Sequence, residues 1–269
     1  MHFPDWFSAI ILGIVEGLTE FLPVSSTGHL LVVGQWLGYE EEVFMIFIQL
    51  GALLAVWWLF RDRLIKMIPW GSRASPEGVR LGIQVGVAFL PAAIVGLSLH
   101  HWITNHLFFP KPIAYAFIGG GIVILLIENF KPRARVSNIS EVTLALALAV
   151  GFGQCLALYP GVSRSGATIM TGLLFGMSRS VATEFTFLLA VPTMTAASFY
   201  ELFKFRHDLT AHMIGTLGIG FVVSFISAWF VVKWFIAFVQ NHTFEGFAWY
   251  RILGGAILLG MISNGLLHS

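Results

Sequence analysis

The stretch EGLTEFLPVSSTGHL, from Glu16 to Leu30, places two carboxylates, a run of three hydroxyls and a histidine in an otherwise apolar segment. Glu16 and Glu20 are four residues apart, so on a helix they stand about 40° from each other on one face. Hard oxygen ligands in that arrangement suit a divalent cation, Mg²⁺ or Ca²⁺. Alternatively, one carboxylate orients His29 or handles a proton. Ser25, Ser26, Thr27 and Gly28 read as a cradle of hydroxyls and free amides for anionic oxygens. Ser26 could be a nucleophile with His29 as its base, or His29 could itself attack or activate water. Lipid-facing sequence does not carry such a load cheaply. A charge at mid-bilayer costs about 2.5–3.5 kcal/mol on insertion scales, and each Leu or Phe returns only about 0.3–0.6 kcal/mol. The polar side must face a cavity or a partner.

A second stretch answers the first. YPGVSRSGATI, from Tyr159 to Ile169, repeats a small, hydroxyl-rich turn after an apolar run. An offset of 138 residues superimposes the two without a gap, placing Gly13 on Gly151, Ser25 on Ser163, Gly28 on Gly166 and Gly38 on Gly176. Such an offset, close to half the chain, is the signature of a duplicated half. The copies differ in their chemistry: Glu16 falls on Gln154, Glu20 on Leu158, Ser26 on Arg164 and His29 on Ala167. Arg164 is a planar, always-charged fork suited to an anion. Ser163, Ser165, Gly166 and Thr168 are further binding candidates, any of whose hydroxyls could instead cap the following helix. Two such turns meeting would set acid–base groups opposite an anion clamp.

With both motifs in view, the chain resembles the bacterial undecaprenyl-pyrophosphate phosphatases of the bacitracin-resistance type. EGLTEFLPVSSTGH and PGVSRSGATI match at the proper separation, and the resemblance runs end to end. It implies hydrolysis of the C55 lipid pyrophosphate to the monophosphate carrier of cell-wall synthesis, in the bacterial cytoplasmic (inner) membrane. It also implies catalytic roles for Glu16, Glu20, Ser26, His29 and Arg164, with the cation bridging pyrophosphate oxygens. The site is expected to open to the external face, and a homodimer is left open. Ser26-Thr27-Gly28-His29 is also similar to a signature of the phosphatidic-acid type of lipid phosphatase. That family needs a histidine six residues after its Ser-Arg, and none follows Arg164.

Composition agrees on the solvent. Apolar residues make up 57% of the 269 and charged residues 11%, with mean hydropathy +0.83, whereas soluble domains carry about 25% charged residues. A net charge of +1 argues against nucleic acid, which calls for a basic patch. The single cysteine, Cys155, excludes an internal disulfide. No Lys or Arg precedes Arg61, so the start lacks the basic end of a cleaved signal peptide and the chain is expected to insert whole.

The elements that must position these residues form an all-α integral membrane protein. Residues 6–22 and the run Leu30–Leu37 around a turn at 24–28 predict a re-entrant hairpin, with Pro23 ending the first helix. Crossings are expected at 43–60, 81–99 (with a kink at Pro91) and 113–127. The basic loop at 61–80 is expected in the cytoplasm, and the loop at 100–112, with His100, His101 and His106, outside. Lys131, Arg133 and Arg135 mark a cytoplasmic linker at 128–141 between repeat one (6–127) and repeat two (142–267). Repeat two gives a hairpin from 142–158 and 167–177, then crossings at 185–203, 213–239 and 249–267. Three crossings between the hairpins invert the second copy, at the cost of leaving Lys204 and Arg206 outside. Glu40, Glu41 and Glu42 read as a solvated loop, and the tryptophans as interfacial anchors. A lipid-phosphate transporter on the same inverted repeat is the competing reading, though it needs no nucleophile–base pair.

Overall fold

Where apolar residues run for twenty or more positions, lipid leaves the backbone only internal hydrogen bonds, so the chain becomes helix. A computed structural model describes residues 3–130, 132–206, 210 and 213–267. Lys131 and the side chain of His100 lie outside what it describes. Among the described residues ten α-helices follow in order: α1 (Asp5–Thr19), α2 (Ser26–Leu37), α3 (Glu42–Met67), α4 (Pro76–Leu107), α5 (Pro110–Phe130), α6 (Leu144–Cys155), α7 (Arg164–Leu174), α8 (Arg179–Lys204), α9 (Ile214–Phe238) and α10 (Glu245–Ser263). No strand occurs among the described residues. Six helices, α3, α4, α5, α8, α9 and α10, are long and apolar enough to cross a membrane. Helices α1, α2, α6 and α7 are too short for that.

Each helix of the second half begins within a few residues of its counterpart shifted by 138. The backbone repeats as well. Ser25 (φ 67°) and Ser163 (φ 75°) both adopt the left-handed region, and so do Gly38 and Gly176. Contacts exchange between the halves: α1 packs on α9 as α6 packs on α4, and α3 packs on α9 as α8 packs on α4. Small residues permit the closest approaches. A Cβ on Gly17 would lie 2.6 Å from Ser224 O of α9, and one on Gly151 would lie 2.5 Å from Ala88 O of α4. The core centres on Phe187, whose ring meets Phe21 at 5.6 Å and Phe60 at 6.0 Å.

Several expected boundaries move. Helix α3 runs on through Arg61, Arg63 and Lys66, and α4 already begins at Pro76, so the basic loop shrinks to 68–75. Ser75 caps α4 by accepting from Gly78 N at 3.1 Å, with proline in the first turn. The expected loop at 100–112 is helical as far as Leu107, because no Gly or Pro interrupts the chain between Gly96 and Pro110. Pro91 lies inside α4 without ending it. Glu42 is the first residue of α3 rather than loop. The linker is tied down: Arg135 N and Val136 N donate to Gly176 O at 2.7 and 2.9 Å. Of the nine tryptophans, all but Trp229 are substantially exposed.

Candidate functional site

The first turn is built differently from expectation. Helix α1 ends at Thr19, and α2 starts at Ser26 instead of near Leu30. Pro23 bars the chain from resuming the first helix, and Ser25, at φ 67°, directly precedes the new one. Ser26, Thr27, Gly28 and His29 therefore occupy the first turn of α2, where amides point outward and the helix dipole favours anions. In the second turn α6 gives way to a 3₁₀ turn at Leu156–Leu158, and α7 starts at Arg164.

The two turns meet. Ser165 Oγ donates to Leu22 O at 2.7 Å, and Arg164 Nη2 reaches Glu20 Oε1 at 3.4 Å. Ser26 Oγ donates to the other carboxylate oxygen, Glu20 Oε2, at 2.5 Å. Glu20 thus holds the serine with one oxygen and the arginine with the other. Arg164 also lies over the Phe21 ring at 5.7 Å and near Met194 Sδ at 3.3 Å. Thr168 supports it from beneath, donating to Arg164 O at 2.9 Å and accepting from Thr186 Oγ1 at 2.9 Å. Ser163 caps α7 by accepting from Gly166 N at 3.1 Å and touches Ser165 Oγ at 3.0 Å.

Two atoms in this cluster are buried and unpartnered among the described residues: Glu16 Oε2 and Arg164 Nε. A buried acceptor and a buried donor of this cluster without partners suit an occupant, since such groups usually find partners. Glu16 is 1% exposed and Glu20 8%. No group of three or more His, Cys, Asp or Glu side chains able to hold a metal occurs among the described residues. Glu16 and Glu20 supply only hard oxygen donors, so a cation held there would take its remaining ligands from a bound anion and water.

His29 and Ser26 are not brought together by any hydrogen bond. His29 Nδ1 lies 2.7 Å from Ser25 O, which can only accept, so that nitrogen carries the proton. Nε2 then accepts from the Tyr250 hydroxyl at 2.6 Å, and the two rings stack 5.6 Å apart and 4° from parallel. Thr27 is half-buried beside them.

Sequence reasoning missed Tyr250 and its neighbour Arg251. Arg251 is 1% exposed and donates to five backbone carbonyls. A charge inside an apolar spanning helix was the available signal.

Six spanning helices around a buried polar cluster, in which two facing turns bring Ser26, Glu20 and Arg164 together, define a multi-pass membrane protein. The profile of one family, described as Bacitracin resistance protein BacA, matches residues 9–257, and the chain belongs to that family. An "Undecaprenyl-diphosphatase 2" of Rhodospirillum rubrum is 49% identical over 262 residues, covering 96% of this chain and 95% of the relative. An "Undecaprenyl-diphosphatase" of Ectopseudomonas mendocina is 50% identical over 256 residues (94% and 92%). One of Nitrosomonas europaea is 47% identical over 268 residues (97% of each).

Proposed function

We propose that the chain is an undecaprenyl-diphosphatase, which hydrolyses the lipid pyrophosphate to the lipid monophosphate and inorganic phosphate. Family membership supports the reaction, and the Ser26–Glu20–Arg164 chain of contacts carries the mechanism. Glu20 takes the Ser26 proton as Ser26 Oγ attacks the terminal phosphorus. The bond from phosphorus to the bridging oxygen breaks, and the lipid phosphate leaves. Glu20 passes that proton to the departing lipid phosphate, then takes one from the water that attacks the phosphoserine and returns it to Ser26 Oγ as inorganic phosphate leaves. Arg164 leaves Glu20 for the transferred oxygens, and its bare Nε gains a partner there. His29, its tautomer set by Ser25 O and its Nε2 taken up by Tyr250, orients the first turn of α2 rather than serving Ser26. Ser25, Thr27, Gly28, Ser163, Ser165, Gly166 and Thr168 line or support the anion cradle.

Mg²⁺ or Ca²⁺ would be held by Glu16 and Glu20 and would neutralise the pyrophosphate. A chelator should then abolish turnover, and Glu16→Gln should raise the half-saturating cation concentration by about 10–100-fold.

The membrane is the bacterial inner membrane, with the site open to the external face. The shared φ values at Ser25 and Ser163 and the exchange of helix contacts support two inverted repeats in one membrane domain. Lys204 and Arg206, awkward for that topology, lie on the rings of Phe205 and Phe203 at 4.6 and 4.4 Å. The decisive experiment is rapid quenching with substrate labelled in its terminal phosphate. Label on Ser26 is expected, and turnover with no covalent label at any time point would exclude the serine nucleophile.

A further inference from the structure

Arg251 reaches both site turns from a helix that belongs to neither. From α10 its Nη1 donates to Pro23 O in the first turn (3.1 Å) and Val162 O in the second (2.8 Å). Nη2 donates to Gly161 O in the second turn and Ala116 O of α5, both at 2.9 Å, and Nε to Phe117 O at 3.3 Å. A guanidinium has five N–H groups, and here five carbonyls take them. Among the described residues no carboxylate pairs with it, so the side chain is matched to backbone geometry and not to an opposite charge. Room for it is made by an absent side chain: a Cβ on Gly120 would lie 2.1 Å from Nη2.

The turns it joins need such a tie. Each site helix starts from a serine in left-handed backbone, Ser25 or Ser163, a conformation that must be imposed from outside. Gly161, whose carbonyl Arg251 holds, is left-handed too, at φ 92°. The reactive pair Ser26–Glu20 lies on one side of the tie and Arg164 on the other.

We infer that Arg251 is a positioning residue that fixes the register of the two turns, so that Arg164 meets the phosphoryl group Ser26 attacks. Lysine keeps the charge but offers three donors from one point, and it spans neither pair of carbonyls. The inference rests on the phosphatase reading for its kinetic consequence only.

The kinetic test compares Arg251→Lys with wild type, scaled to folded protein by size-exclusion chromatography. Misplacing a catalytic group by about 1 Å costs about a hundredfold, so kcat should fall by that order while KM changes less than about threefold. Normal kcat per folded molecule would overturn the inference, whether the true role is charge alone or fold alone. Gly120→Ala gives a second route should the lysine variant not fold, because it displaces the fork without altering it. It should lower kcat in the same way, and a folded Gly120→Ala protein with normal kcat would equally overturn the inference. Where both fold, Gly120→Ala should add little in the Arg251→Lys background.

A readout independent of turnover separates this inference from the assigned activity. Spin labels at Trp36→Cys and Leu174→Cys, exposed 138-equivalent positions on α2 and α7 in a Cys155→Ser background, report the distance between turns. Arg251→Lys should broaden a narrow distribution. An unchanged distribution would overturn the inference, whereas wild-type protein that fails to hydrolyse the lipid pyrophosphate would overturn only the activity.

Discussion

The turns before α2 and α7 share a backbone and divide the labour. Each follows a short apolar helix, each places a serine in left-handed backbone, and each opens a helix at the following residue. In the second turn the hydroxyls are spent on structure: Ser163 caps Gly166 N, Ser165 holds Leu22 O, and Thr168 braces Arg164. In the first, Ser25 makes no cap, Ser26 faces a carboxylate, and Glu16 keeps a bare buried oxygen. Hydroxyls spent on backbone partners make the second turn the stiffer frame, while in the first the Ser26 hydroxyl is spent on a carboxylate. Under the proposed mechanism, one of these two matching frames serves as the reactive wall and the other as the mount for the Arg164 cation.

The sharpest way to break this comparison is to exchange equivalent hydroxyls for methyl groups. Ser26→Ala should lower kcat at least about a thousandfold with folding intact, as loss of a nucleophile does. Ser165→Ala, in the supporting turn, should be far milder. Comparable losses at both positions in steady-state hydrolysis would erase the division. Next in size comes Glu20→Gln, which keeps shape and loses the proton acceptor. A loss of about 10²–10⁴-fold in kcat is expected for a general base. Unfolding of that variant, with normal activity in the molecules that remain folded, would make Glu20 a packing element.

Much of this division was legible in the sequence. The 138-residue offset brought Ser25 onto Ser163 and Gly38 onto Gly176, and those pairs share their backbone. The six crossings followed from apolar length. Gly13 and Gly17 flank Glu16, and both pack closely on α9. Pairings across long separations were not legible. Ser26 lies three residues from His29, yet its hydroxyl meets Glu20 while the imidazole is taken up by Ser25 O and Tyr250. Tyr250 lies 221 residues from His29, in a helix that reads as lipid-facing. The helical start at Ser26 was hidden because Ser25 takes backbone that propensity assigns to glycine.

A smaller effect tests the mount. Ser26 occupies the equivalent place in the first half, so the shared frame does not require a long cation at Arg164. Two donated hydrogen bonds to the transferred oxygens should then matter as well as the charge. Arg164→Lys should cost at least about 2 kcal/mol of transition-state stabilisation, roughly thirtyfold in kcat/KM. Near-normal efficiency in folded protein would reduce Arg164 to a general electrostatic anchor.

The smallest effect compares two serines that differ only in what their hydroxyls do. Ser25 and Ser163 have the same left-handed backbone, so replacing either with alanine leaves the conformational strain alike. Only Ser163 caps its helix, at 3.1 Å from Gly166 N, and Ser165 depends on it at 3.0 Å. Loss of a helix cap costs about 1 kcal/mol. In a chain of this size that is about 2–4 °C in the midpoint of thermal unfolding. Ser163→Ala should show that drop in detergent, with at most a modest loss of turnover, because Arg164 starts the helix being uncapped. Ser25→Ala should melt close to wild type and, if affected, lose turnover through the anion cradle. Thermal melts and steady-state assays on the two variants decide the matter together. An equal drop in melting temperature would place a cap in the first turn as well, and the contrast between a braced frame and a reactive one would fail at its plainest point.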